Sequence, residues 1–179
     1  LGVYLTFRVL GFPDLTVDGS FTTGGATAAA AIVAGVSPWL AVLMAFGAGA
    51  IAGSLTGILH TKGKIDGLLA SIIMMIALYS INLHIMGNSA AKPLLGETTM
   101  LTPLEENGLL RDNWVGSGLL LVGVLAVSFV LIWFLHTRTG LALRATGNNS
   151  QMATSFRVNT DNQKILGLAI SNGLVAVSG

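Results

Sequence analysis

The runs from Pro38 to His60, Asp66 to Met86 and Gly116 to Leu135 contain no lysine, arginine or acid apart from Asp66 at the start of the second. At 1.5 Å of rise per residue, each is long enough to cross most or all of a hydrocarbon core about 30 Å thick. Such a run has no polar face to turn to water, so it predicts a helix surrounded by lipid or by other helices. A water-soluble domain usually carries about 25% charged residues. Here the charged share is 9% and the mean hydropathy is +0.76. The prediction is an all-α, polytopic transmembrane helical bundle.

Three further segments extend it. Leu1 to Leu10 reads as the tail of a span. After the polar break GFPDLTVDGS, Asp18 can cap a short helix from about Gly19 to Ala34, built mainly from Ala, Gly and Thr. The last helix starts near Asn162, where Thr160 and Gln163 have capping-box spacing. It would run to Gly179 and reach only about 27 Å. The expectation is about five to six spans in a single domain over residues 1–179, with both ends truncated. Ser37-Pro38 marks a helix start, with Ser as cap and Pro where its missing N–H costs nothing. Ala45, Gly49, Gly53 and Gly57 recur at every fourth residue of that span. They form a small-residue stripe that lets another backbone come close.

Positive charge sets the orientation, because Lys and Arg accumulate in cytoplasmic loops. The 61–65 turn and the 136–161 loop hold Lys62, Lys64, Arg138, Arg144 and Arg157, with Lys164 just beyond. The 87–115 stretch sets Lys92 and Arg111 against four acids. The first two segments are therefore expected in the cytoplasm and the third outside. The break around Pro13 to Asp18 is expected to start from the cytoplasmic side, in agreement with Arg8.

Several functions are excluded at this level. A net charge of +1, without a basic stripe interleaved with aromatics, gives no case for nucleic acid. There is no cysteine, and His60, His84 and His136 are not at metal-ligand spacing. No phosphate-binding loop, nucleophile elbow or zinc-protease motif is present, so no catalytic residue, metal ligand or cofactor site is predicted. Energy for any transport would come from a partner or a gradient. A gradient-driven secondary transporter is the alternative reading; it would call for acids or paired charges inside the spans, and the interiors between Pro38 and Leu135 have none.

The loop 136–161 has its own helical pattern. Asn149 or Ser150 can cap a short helix that places Met152 and Phe156 four residues apart on one face. Apolar knobs on such a loop point to a protein partner, to the protein's own bundle or to the lipid interface.

The stretch from Gly140 onward, GLALRATGNNSQMATSFRVNTDNQKILGLAISNG, resembles the cytoplasmic coupling loop and following span of ABC importer permeases of the branched-chain amino acid and ribose type. Gly140, Ala142, Leu143, Arg144, Ala145, Gly147, Ala153, Val158 and Asn159 occupy the places of that family's pattern. Arg157 stands where the family commonly has glycine. FPDLTVDGSF, from Phe12 to Phe21, resembles a narrower branch, the permeases encoded with substrate-binding proteins of the tryptophan and tyrosine type.

The resemblance implies a permease domain, here partial, in the bacterial inner membrane. Gly140 to Asn159 would dock on a cytoplasmic ABC ATPase, which binds the ATP. Met152 and Phe156 would be its apolar knobs and Arg144 a polar anchor. The further partners implied are an external substrate-binding protein, a second permease subunit as in a homodimer, and membrane lipid. The solute implied is an amino acid. Asp18, Ser20, Thr22, Thr23, Gly24, Gly25 and Thr27 are candidates to line the pathway, if the break before them is a broken helix whose backbone faces the solute. Otherwise Asp18 caps a helix and Asp14 steadies a turn. Asn82, near Tyr79, Ser80 and His84, is a further pathway candidate or an interhelical hydrogen bond.

Overall fold

The computed structural model describes residues 1–87 and 113–179, and every element among them is helical. A short helix α1 (Gly2–Tyr4) runs into a π-type turn over Leu5–Val9. Then come α2 (Thr16–Val33), α3 (Pro38–Thr61), α4 (Gly67–Ile85), α5 (Asn113–Leu135), α6 (Arg138–Asn148), α7 (Ser150–Ser155) and α8 (Thr160–Ser178). The outer stretch expected between α4 and α5 falls mainly outside the described residues.

Pro38–Thr61, Gly67–Ile85 and Gly116–Leu135 are long and apolar enough to cross a membrane. Their exposed side chains are those a lipid-facing surface needs: Leu43 and Ile51 on α3, Ile76 on α4, Leu121 and Phe129 on α5. α2 is more polar and sits inside, packed on α3, α4 and α8.

The small-residue stripe does what its spacing predicts. α8 lies antiparallel along α3, with Gly49 and Gly53 against the backbone of Leu168 and Asn172 and Gly57 against Ile165. Gly24 of α2 meets the backbone of Ala176 on α8 in the same way. Backbones can approach this closely only where no Cβ intervenes.

Two helix starts differ from expectation. α2 begins at Thr16, three residues before the predicted Gly19, because the Asp14 carboxylate, and not that of Asp18, accepts the Thr16 N–H at 2.9 Å. Asp18 is exposed in the first turn, where a carboxylate still favours the positive end of the helix dipole. α8 begins at Thr160, with Asn159 as its cap accepting from the Asn162 N–H at 3.2 Å, so a single side-chain cap at Asn159 stands in place of the predicted capping box of Thr160 and Gln163. Asn149 caps α7, one of the two residues predicted for it, and Asp66 caps α4 at the start expected for that span, by accepting from the Leu68 N–H.

The ends of these helices gather the predicted cytoplasmic segments on one face of the bundle. Leu10 and Phe12 from the break pack with Leu143 of α6 and Leu168 of α8. His60, from the end of α3, lies edge-on to Phe12 at 5.0 Å between ring centres, and its Nε2 is 3.4 Å from Lys164 Nζ.

Candidate functional site

The 136–161 loop is a helical elbow. Thr137 caps α6, Asn149 caps α7, and the bend between the two helices is the extended residue Asn149. α7 closes with the Val158 N–H on the Ala153 carbonyl at 3.1 Å and the Arg157 N–H on the Thr154 carbonyl at 2.9 Å. These two bonds form a Schellman motif, which needs a left-handed residue at its centre. Arg157 supplies it at φ 59°. The departure from glycine noted in the sequence therefore falls at a position where glycine is the unstrained choice. Arg157→Gly is expected to leave α7 at least as stable. Arg157→Val should cost about 1–2 kcal/mol, read as faster amide exchange over Ala153 to Val158.

The loop residues singled out from the sequence divide into two sets. Gly140, Gly147, Ala153 and Asn159 build the elbow. Gly140 rests on the backbone of Phe134 and Leu135, Gly147 on the carbonyl of Val9, Ala153 is buried, and Asn159 caps α8. Met152 and Phe156 are left outside, 58% and 72% exposed, on the one-and-a-half turns of α7 and its cap. Arg144 is exposed on α6, a different helix, where it borders a cleft shared with Arg8.

The elbow is tied to four parts of the bundle. Leu143, fully buried, fastens it to the break before α2 and to α8, while Gly140 and Gly147 hold it to the end of α5 and to the π-turn.

The pathway candidates on α2 are also divided. Ser20, Thr23 and Gly24 are buried in helix packing. Ser20 donates to Asn172 Oδ1 at 2.6 Å, and Thr23 and Thr27 bond back to the carbonyls of Gly19 and Thr23. Asp18 and Thr22 are exposed, while Gly25 and Thr27 are half-buried. Asn82 makes an interhelical bond, donating to Thr22 Oγ1 at 2.9 Å, while Tyr79, Ser80 and His84 face outward.

Sequence reasoning missed the polar knot beneath this helix. Asn172 Nδ2 donates to Asp14 Oδ2 at 2.7 Å, and the hydroxyls of Thr16 and Thr56 share a hydrogen bond at 2.9 Å. All four residues are fully buried. The available signal was an asparagine within the apolar run of the last span, where a polar side chain must find a partner.

Residues 1–179 match the family model described as branched-chain amino acid transport system / permease component. The tyrosine transport system permease protein of Clostridioides difficile is 44% identical, with the match covering 100% of this chain and 57% of that protein. The galactofuranose transporter permease protein YtfT of Escherichia coli is 31% identical, over 93% of this chain and 47% of its own length. The ribose import permease protein RbsC of Escherichia coli is 27% identical, over 93% and 51%. The chain thus spans about half the length of these curated relatives. No solved structure matches.

Proposed function

The chain belongs to the branched-chain amino acid transport permease family, and on that premise we propose that it forms part of the solute pathway of an ATP-driven importer in a bacterial inner membrane. The observation that carries this is α7: a capped short helix, anchored by Ala153, that holds Met152 and Phe156 away from the bundle. Large apolar side chains fixed on a rigid edge suit a groove in a protein partner. We assign that partner as a cytoplasmic ATPase, which binds the ATP that this chain has no motif to hold. A nucleotide-driven movement of its groove would be carried through Leu143, Gly140 and Gly147 to the break before α2, the π-turn, the end of α5 and the middle of α8. The bundle would thereby shift between inward and outward states.

The solute we assign is an amino acid, by analogy with the tyrosine relative, delivered by an external binding protein to a pair of permease subunits. On α2, Asp18 and Thr22 remain open to it. The rival, a gradient-driven carrier, calls for a titratable group open to the pathway; Asp14, buried at the break, is closed off by Thr16 and Asn172.

The test is Phe156→Asp in the full-length subunit, co-purified with candidate ATPases. Burying an anchor of this size contributes about 2 kcal/mol, so assembly should weaken roughly thirtyfold, with membrane insertion intact. Retained assembly together with retained ATP-dependent uptake would remove Phe156 from the contact. Labelling of a Ser150→Cys variant from the cytoplasmic side only is the companion result; labelling from outside would sink the importer assignment.

A further inference from the structure

The same face carries a second feature that the importer reading leaves unused. Between α1 with its π-turn, the inner half of α5, and α6 lies a cleft of about 560 Å³. Arg8 and Arg144 line it from two different elements, and its lining holds no carboxylate. Tyr4 and Asn148 add polar groups, while Leu131 and Ile132 of α5 supply an apolar wall. The two arginines are held as neighbours by the backbone. Gly147, one turn beyond Arg144, rests directly on the carbonyl of Val9, the residue after Arg8. A Cβ at position 147 would strike that carbonyl, so the approach is fixed by the fold and not by the arginines themselves.

Two guanidinium groups without an acid between them repel each other, and an anion placed there relieves the repulsion. Guanidinium forks match phosphate oxygens in geometry and charge. The apolar wall continues outward along α5 through Leu125, Val124 and Leu121, all exposed as a lipid-facing helix would be. A ligand that is anionic at one end and apolar along the other satisfies both parts at once. Basic pockets between helices at the cytoplasmic end of a span are known to suit such headgroups.

We propose that this cleft holds the phosphate of an anionic phospholipid, gripped by Arg8 and Arg144 with its acyl chain along α5. Arg144 then serves the membrane, and the contact with the ATPase is left to Met152 and Phe156. The lipid would pin the π-turn and α6 to the bilayer surface, giving the elbow a fixed fulcrum.

The experiment uses the full-length subunit in mild detergent, with equal amounts of phosphatidylglycerol and phosphatidylcholine, read by native mass spectrometry. The wild type should retain phosphatidylglycerol over phosphatidylcholine by about tenfold. The double variant R8Q/R144Q should lose that preference, while R138Q, on the same loop but outside the cleft, should keep it. Equal retention by the double variant, or equal loss in R138Q, overturns the proposal. Excess inorganic phosphate should leave the lipid adduct in place; displacement by phosphate alone would identify a free-anion site and overturn the lipid assignment. Co-purification with the ATPase is measured on the same variants. R144Q that loses the ATPase while keeping phosphatidylglycerol would return Arg144 to the coupling contact and refute its role here. Lipid retention needs no ATPase, so it stands or falls apart from the importer reading.

Discussion

Gly53→Leu should leave little or no folded protein, whereas Gly47→Leu on the same helix should be tolerated. A side chain at position 53 would meet the carbonyl of Leu168 and the Cβ of Asn172. The first obstacle is backbone, which cannot rotate aside as a side-chain tip can. Relief requires α3 and α8 to separate, and their contact is the most extensive in the bundle. Separation would also pull Gly49 and Gly57 from their places against Asn172 and Ile165. Overpacking of this kind costs about 3 kcal/mol or more, a large fraction of the stability of a domain. At Gly47 nothing lies within 4 Å of an added Cβ, and the change should stay within about 0.5 kcal/mol. The measurement is the monodisperse fraction and melting temperature of each variant in detergent. Similar behaviour of the two would show that the stripe does not hold α3 to α8.

The stripe was legible in the sequence because one helix suffices to see it. Small residues at every fourth position declare a close approach without saying to what. The cap at Asn149 and the exposure of Met152 and Phe156 were legible for the same reason: each depends on residues within about one turn. What the sequence concealed was long-range pairing. Asp14 and Asn172 are 158 positions apart, and Thr16 and Thr56 are 40 apart. No local pattern names such partners. The hydroxyls of α2 show the same limit. Ser20 and Thr23 have the composition of a polar pathway, yet Ser20 is spent on Asn172 and Thr23 on its own helix, the usual resort of a hydroxyl with no water nearby. Asp18 looked like the cap because it directly precedes the glycine-rich run. The carboxylate at the helix start is Asp14, one residue before the cap position Leu15, which folding places where both the first N–H of α2 and the amide of Asn172 can reach it.

Asn172→Leu is the second severe change expected. Asn172 is the centre of the buried knot: its amide nitrogen donates to Asp14 and to the Leu168 carbonyl, and its oxygen accepts from Ser20. Leucine fills a similar volume but leaves the Asp14 carboxylate with Thr16 as its remaining partner and takes away the acceptor of the Ser20 hydroxyl. Stranding a buried polar group whose partner has been removed costs about 3–5 kcal/mol when that group is charged, far above the worth of the bond itself. The knot ties the break before α2 to the middle of α8, so its loss should loosen the same segments that receive the elbow. Asp14→Asn keeps the shape and one acceptor oxygen and should cost only about 1–2 kcal/mol. Asn82→Leu is the comparison that isolates position from chemistry. It too removes an asparagine that bridges two helices, but its partner Thr22, which accepts that bond, is exposed and keeps its own donation to the Gly19 carbonyl, so about 1 kcal/mol is expected. A double-mutant cycle between Asp14→Ala and Asn172→Leu should fall short of additivity by at least about 1 kcal/mol, because the second change removes what the first has already disabled. Additive losses, or an Asn172→Leu protein no less stable than Asn82→Leu, would mean that the last helix is held by its small residues alone and that the break is free to move independently of it.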